Sequence, residues 1–126
     1  MKINSINPKN NLILNSWDVP SKNLINATIN HSSKAQLEWC KLDLKSRLSL
    51  VQELVFILNE KSKEFSFLMA DEMGKPIKQG RDEIKKCIWL CNFYLENSEK
   101  FLFDKEIKTD SYKSYVTYRP IGLILG

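Results

Sequence analysis

The sequence has few residues of the types that usually carry chemistry or crosslinks. Its 126 residues include one histidine, three cysteines, four glycines and four prolines. No run of about eighteen apolar residues is present, as a membrane-spanning helix needs, and the N-terminus lacks the apolar core of a signal peptide. An odd number of irregularly spaced cysteines is typical of a reducing compartment. The sequence therefore predicts a cytoplasmic protein that does not bind membranes.

The remaining composition is that of an ordinary folded domain. Apolar residues make up 43% of the sequence and charged residues 27%, which are usual values for a globular protein. The net charge is +4, from 19 Lys and Arg against 15 Asp and Glu, and the two signs alternate along the chain. Such mixing is typical of a solvated surface, and the length suits a single domain.

The first half of the chain predicts a β-hairpin followed by two helices. Pro8 and Asn10–Asn11 favour a turn between two short strands. Ser21 is predicted to cap a first helix, whose weak and partly polar stripe reaches Trp39. Asp43 is predicted to cap a second helix. Apolar residues at helical spacing mark its inward face: Leu44, Leu48, Val51, Val55 and Leu58.

The second half predicts two further helices. Ser62 is predicted to cap the third, and Gly74 to end it in the left-handed conformation. Its inward residues are predicted to be Phe65, Leu68, Met69 and Met73. Pro76 suits the first turn of the fourth helix, which is predicted to end near Asn97. Gly80 on its inner face would let another backbone come close. The whole predicted inner face is Ile77, Gly80, Ile84, Cys87, Cys91 and Leu95.

Two strands are predicted near the C-terminus. Residues around Tyr115–Arg119 alternate Tyr, Val and Thr with polar residues, as in a strand with one exposed face. Ile121–Leu125 is a continuous apolar run, the pattern of a strand buried on both faces of a sheet. Because strands and helices are combined in this way, the predicted fold class is α/β.

The residues that could carry chemistry have simpler interpretations. Cys87 and Cys91 lie one helical turn apart and could share a metal, but further ligands are missing, so reduced core thiols are the better interpretation. His31 lies between Asn30 and Ser32 on a weakly patterned helix, so a surface or boundary position is a better interpretation than a catalytic role. A basic stripe on the fourth helix is interrupted by acidic residues, which favours a solvated face over nucleic-acid binding. The stripe consists of Lys75, Lys78, Arg81, Lys85 and Lys86.

Three stretches together resemble the N-terminal part of the aldehyde dehydrogenase superfamily. They are INP at residues 6–8, EMGKPIKQGRDEIKKC at Glu72–Cys87, and YRPIGLILG from Tyr118. The middle stretch, followed by FYLENSEKFL, is most similar to the succinate-semialdehyde dehydrogenase branch. The resemblance covers almost the whole chain. The sequence departs from the family pattern at Asn10–Asn11, where a glycine is usual, and at Gln36, where an aromatic residue is common.

The resemblance implies that residues 1–126 form part of an N-terminal, cofactor-binding domain that is incomplete at its C-terminus. Family members oxidise an aldehyde through a catalytic cysteine, pass hydride to NAD or NADP and hydrolyse the thioester with help from a glutamate. Those groups, and the asparagine that steadies the oxyanion, are expected beyond Gly126. Cys40, Cys87 and Cys91 match helix positions, so no catalytic, cofactor-binding or metal residue carries over. Neither NAD nor NADP is expected to bind this chain well.

The same resemblance assigns the last two predicted strands. It implies that Tyr115, Val116, Thr117, Tyr118 and Arg119 belong to an oligomerisation strand, and Ile121–Leu125 to a strand of the dinucleotide-binding domain. The expected partner is the remaining part of a dehydrogenase or a second copy of the chain, and not nucleic acid. Whether this chain is itself an enzyme stays open. The alternative is a small helical interaction module without catalysis.

Overall fold

The computed structural model describes all residues from Met1 to Gly126. Four helices lie between two pairs of short strands, and the strands form two separate antiparallel sheets, β1–β2 and β3–β4. The predicted hairpin and four helices are confirmed. In chain order the elements are β1 (Lys2–Ile6), β2 (Ile13–Asp18), α1 (Lys22–Lys41), α2 (Leu44–Glu60), α3 (Ser62–Met73), α4 (Ile77–Leu102), β3 (Lys105–Ile107) and β4 (Ser114–Val116).

The turn between β1 and β2 is built by asparagine side chains. The Asn7 carboxamide oxygen accepts a hydrogen bond from the Lys9 backbone amide at 2.9 Å, and the Asn10 carboxamide oxygen accepts one from the Leu12 backbone amide at 3.0 Å. Asn11 has a φ of 59°, in the left-handed region that asparagine tolerates. The turn predicted around these asparagines is therefore confirmed.

Helices α1 and α2 begin at the predicted caps. The Ser21 hydroxyl accepts from the Leu24 amide at 3.2 Å, and the Asp43 carboxylate accepts from the Ser46 amide at 2.6 Å. The bond from Ser46 stabilises the ionised carboxylate, and it is the main reason that the pKa of Asp43 lies below its ordinary value. Both interactions satisfy amide groups that have no partner inside the helix.

The cap predicted at Ser62 is wrong. Helix α3 begins at Ser62 itself, after Lys61, and has no side-chain cap. The Lys61 amide donates to the Ile57 carbonyl at 2.9 Å, and the Phe65 amide donates to the Lys61 carbonyl at 2.9 Å. Because hydrogen bonding runs almost without interruption from α2 into α3, a capping side chain has little left to satisfy.

The turn between α3 and α4 follows the glycine prediction. Gly74 has a φ of 70°, and its amide donates to the Ala70 carbonyl at 3.0 Å. Pro76 lies one residue before α4 instead of inside its first turn, and its carbonyl accepts from the Gly80 amide at 3.0 Å. The left-handed glycine ends α3, and the proline then directs the chain into α4.

Helix α4 is longer than predicted, because it ends at Leu102 and not near Asn97. The Asn97 carboxamide donates to the Phe93 carbonyl at 2.8 Å, one turn back, so this residue stays inside the helix. The rings of Phe93 and Phe101 lie 5.8 Å apart between centroids. This packing stabilises the last turns of α4, beyond the end that was predicted near Asn97.

The core lies where α4 packs against α2 and α3. A Cβ atom added at Gly80 would lie 3.2 Å from the Cα of Ser66, and Ser66 is fully buried. The predicted close approach at Gly80 is therefore confirmed. Only six residues of the chain are buried. They are Asn7, Val55, Ser66, Gly80, Ile84 and Ser98.

Two of the predicted inner faces need correction. Cys87 is exposed, and Ile88, one turn after Ile84, is half-buried in its place. In α3, the side chains of Leu68 and Met73 are 51% and 63% exposed. The predicted face of α2 is confirmed, since each of its five residues is half-buried or buried. The apolar periodicity thus predicted the buried faces correctly only where a neighbouring helix covers them.

Candidate interaction surface

The chain exposes far more surface than a compact protein of its mass. Its accessible surface is 10927 Å². A compact monomer of 14.7 kDa exposes about 6,900 Å². The difference, about 4,000 Å², is surface that a complete domain of this size would have buried. The candidate functional feature is therefore a surface for contact with other protein, and it has three parts.

Helix α1 forms the first part of this surface. It has no buried residue, and its partly polar stripe leaves apolar side chains open to solvent. Its stripe includes Ile25, Ile29 and Trp39, which are 44%, 48% and 42% exposed. An apolar helix face in this state is typical of a protein contact site.

The chain after β4 forms the second part. Residues 117–126 contain no strand, and Ile121 and Leu125 are 86% and 98% exposed. The buried strand predicted over Ile121–Leu125 is thus not formed in this chain. A strand is defined by hydrogen bonds to a neighbour, and these residues have no neighbouring strand within the 126 residues.

The same segment runs along α1 in the opposite direction. Residues 118–122 line one cleft with the last turns of α1, and residues 123–125 line another with its middle turns. The second cleft has a volume of about 370 Å³ and is mostly apolar, with Ile29 facing Leu123 and Ile124 among its lining residues. The contact is loose, since neither partner is buried by it.

An aromatic row on α4 forms the third part. The rings of Trp89 and Phe93 are 6.0 Å apart between centroids, and those of Phe93 and Tyr94 are 5.5 Å apart. Trp89 is 65% exposed and Tyr94 49%. Trp89 and Phe93 lie on the opposite side of α4 from Gly80 and Ile84. Helix α4 therefore packs on α2 and α3 with one face and leaves aromatic rings among the polar residues of its other face uncovered.

The predicted oligomerisation strand is shorter than expected. Strand β4 begins at Ser114 and ends at Val116, so only Tyr115 and Val116 of the predicted residues lie in it. It pairs with the three residues of β3, from Lys105 with Val116 to Ile107 with Ser114. Residues 117–119 follow outside the strand because β3 is too short to pair with them. The role of residues 115–119 in oligomerisation stays a prediction.

The first two sequence stretches of the resemblance lie against each other. The Ser5 hydroxyl donates to the Glu72 carboxylate at 3.0 Å, and the Asn7 carboxamide donates to the Asp71 carboxylate at 3.3 Å. A Cβ at Gly74 would lie 3.2 Å from Cγ of Pro8. Residues 5–8 therefore dock the hairpin onto the end of α3. Sequence reasoning missed this link, because no periodic pattern connects residues so far apart.

No grouping of three or more His, Cys, Asp or Glu residues could hold a metal ion. The three cysteines are free; Cys40 and Cys87 are exposed and Cys91 is half-buried. His31 is exposed on α1. None of these residues is brought together with another into a catalytic arrangement.

The basic stripe on α4 is partly neutralised by acidic neighbours. Lys75 forms an ion pair with Glu83, and Lys85 lies 3.3 Å from Asp82. Lys75, Asp82 and Glu83 line a polar depression with Gln79 and Lys86, and no aromatic side chain lines it. The arrangement is that of a solvated face, as the alternating charges predicted. None of the four helices is both long enough and apolar enough to cross a membrane.

Comparison with known proteins identifies the fold to which these elements belong. The sequence pattern of the Aldehyde dehydrogenase family matches residues 1–126. The chain belongs to the aldehyde dehydrogenase family. The resemblance drawn from its three sequence stretches is thereby confirmed.

Curated relatives carry the name succinate-semialdehyde dehydrogenase. The chain is 30% identical over all its 126 residues to a protein of Synechocystis sp. named probable succinate-semialdehyde dehydrogenase, NADP(+), and covers 28% of that protein. It is 29% identical over 71% of its length to the Escherichia coli protein named succinate semialdehyde dehydrogenase Sad, NAD(P)+, and covers 19% of it. The chain thus spans 28% and 19% of the lengths of these two relatives.

Solved aldehyde dehydrogenases share the fold. The structure of succinic semialdehyde dehydrogenase from Streptococcus pyogenes in complex with NADP+ matches with a TM-score of 0.83 and 22% identity, over 89% of this chain and 25% of that one. The structure of Gox0499 matches with a TM-score of 0.91 and 19% identity, over 96% of this chain and 27% of that one. The predicted α/β class, as the N-terminal part of the aldehyde dehydrogenase fold, is confirmed.

Proposed function

We propose that this chain is the N-terminal segment of an NAD(P)-dependent succinate-semialdehyde dehydrogenase and is catalytically silent by itself. In this proposal residues 1–126 supply the helical layer of an incomplete cofactor-binding domain. The match of all 126 residues to part of the Synechocystis protein carries the proposal. The name of the Escherichia coli relative supports the same substrate.

The area of uncovered surface favours the remaining dehydrogenase polypeptide as the partner. A stable contact between two separate proteins buries about 800 Å² on each. The excess surface of this chain is about 4,000 Å², several times larger. A single docked partner or second copy would cover only part of it, whereas the rest of the same domain would surround α1, the aromatic row on α4 and residues 117–126.

The proposal assigns no catalytic, cofactor-binding or metal residue to this chain. The nucleophilic cysteine, the glutamate and the oxyanion asparagine are expected in the remaining polypeptide, and so is most of the NAD(P) site. Residues 115–119 are proposed to supply the oligomerisation strand once that polypeptide is present. Cytoplasmic location, in agreement with the cysteine pattern, is also part of the proposal.

The test is to join the chain to the part of the Synechocystis relative that follows its matching region. With succinate semialdehyde and NADP, the joined protein should form NADPH, measured by its ultraviolet absorbance, and the 126-residue chain alone should form none. A triple variant of the joined protein with Cys40, Cys87 and Cys91 replaced by serine should stay active. NADPH formation by the isolated chain, or loss of activity in the folded triple variant, would contradict the proposal.

A further inference from the structure

The cleft at the end of α1 has a chemical character that the proposed function does not explain. It has a volume of about 370 Å³ and lies between the last turns of α1, the start of α2 and residues 118–122. Two arginines line it, Arg47 and Arg119, together with Gln36 and Cys40, and no acidic residue does. The cleft is therefore a concave site with positive charge on its walls.

Arg47 is the polar side chain that this cleft leaves without a partner. Its Nε atom is buried and makes no hydrogen bond, and none of the ion pairs of the chain involves it. Asp43, one turn earlier, directs its carboxylate to the Ser46 amide instead. The Arg47 side chain as a whole is half-buried. Because its guanidinium has no ion-pair partner, the cleft favours an anion that accepts from its outer nitrogens.

The remaining lining residues of the cleft indicate which kind of anion would bind there. Trp39, Tyr118 and Ile121 line the cleft beside the arginines, so a ligand with an apolar or aromatic body would bury part of it there. The flat guanidinium fork matches a carboxylate, which can accept two parallel hydrogen bonds from it. We propose that this cleft binds a carboxylate attached to a small apolar body, with Arg47 as the principal donor and Arg119 as a second charge.

Such a carboxylate has two possible sources with the same chemistry. It can belong to a free organic acid, or to an Asp or Glu side chain of the dehydrogenase polypeptide that continues after this chain. Only the second source rests on the proposed function. The test therefore has one arm on the 126-residue chain and one on the joined protein.

Cys40 provides a reporter inside the cleft, since its exposed thiol is one of the lining groups. In the first arm, the alkylation rates of Cys40 and Cys87 in the 126-residue chain are measured by mass spectrometry with benzoate or with benzamide, its neutral analogue. Benzoate should slow alkylation of Cys40 several-fold, and benzamide should not. Cys87 is exposed on α4 and outside the cleft, so its rate should not change.

Variants of Arg47 distinguish a requirement for the guanidinium group from a requirement for positive charge alone. Arg47→Met should raise the apparent Kd for benzoate about tenfold or more, because a charge-assisted hydrogen bond is lost. Arg47→Lys keeps the charge without the fork and should give an intermediate value. Arg81→Met removes an equal charge from an exposed position on α4 and should leave the Kd unchanged.

In the second arm, Cys40 of the joined protein is alkylated without any added acid. Slow alkylation that becomes fast in Arg47→Met, but not in Arg81→Met, supports a carboxylate from the polypeptide itself. Protection by benzoate in either protein supports a free acid. The proposal would be overturned if benzoate and benzamide had equal effects and if the alkylation rate of Cys40 did not depend on Arg47 in either protein. None of these readings requires dehydrogenase activity.

Discussion

The layer formed by α2, α3 and α4 and the region formed by α1 with residues 117–126 both carry apolar side chains, but only the first region buries any of them. Five of the six buried residues lie in the three-helix layer, the exception being Asn7. Helix α1 has 20 residues and none is buried. Apolar residues at helical spacing therefore form a core only where another element packs against them, and no element of these 126 residues buries any residue of α1.

The largest effect is expected from a matched pair of isoleucine truncations. Ile84 is 4% exposed and Ile29 is 48% exposed. Ile84→Ala should lower the free energy of unfolding by about 2–4 kcal/mol, because it leaves a cavity in the only core of the chain. Ile29→Ala should change it by less than about 1 kcal/mol. Urea unfolding followed by circular dichroism measures both, and equal losses would contradict the division into two regions.

An intermediate effect is expected where α3 and α4 come closest. Gly80→Val places side-chain atoms against the backbone of Ser66, since even a Cβ would lie 3.2 Å from its Cα. The helices must separate, at a cost of about 1–3 kcal/mol in stability. Ala35→Leu adds bulk on exposed α1 and should change stability by less than about 0.5 kcal/mol. If thermal melting shows Gly80→Val to be as stable as the parent, the close crossing is wrong.

A smaller effect is expected from two glycines that share a left-handed conformation. Gly74 has a φ of 70° and lies against Pro8, whereas Gly122 has a φ of 98° and open space around it. Gly74→Ala should cost about 1–2 kcal/mol, because a Cβ is strained in this conformation and crowds Pro8. Gly122→Ala should cost less than about 0.5 kcal/mol, since its segment is free to relax. Equal melting temperatures for the two variants would count against this explanation.

The sequence predicts well those features that depend on neighbouring residues in the chain. The caps at Ser21 and Asp43, the left-handed Gly74 and the close approach at Gly80 each follow from local conformational rules, and the structure has all four. The family resemblance likewise rests on short stretches, which dock the hairpin to the α3–α4 turn and line the cleft beside α1.

Features that depend on distant residues could not be predicted in this way. The bond between Asn7 and Asp71 joins residues 64 positions apart, and nothing periodic points from one to the other. The exposure of Cys87 and of Ile121–Leu125 depends on which surfaces have neighbours, not on the pattern of the residues themselves. The position of Arg47 in a cleft could not be predicted, because a basic residue in a polar helix turn is usually solvated and the other wall comes from residues 118–122, far away in sequence.

The most direct test of the central claim is amide hydrogen exchange of the 126 residues, alone and joined to the remaining polypeptide of the Synechocystis relative. Amides of α1 and of residues 117–126 should exchange at least about tenfold more slowly in the joined protein. Amides near the contact of Ser66 with Gly80 should be protected in both. If α1 and residues 117–126 exchange at the same rate in the two folded proteins, the uncovered surface is not a contact with the rest of the dehydrogenase.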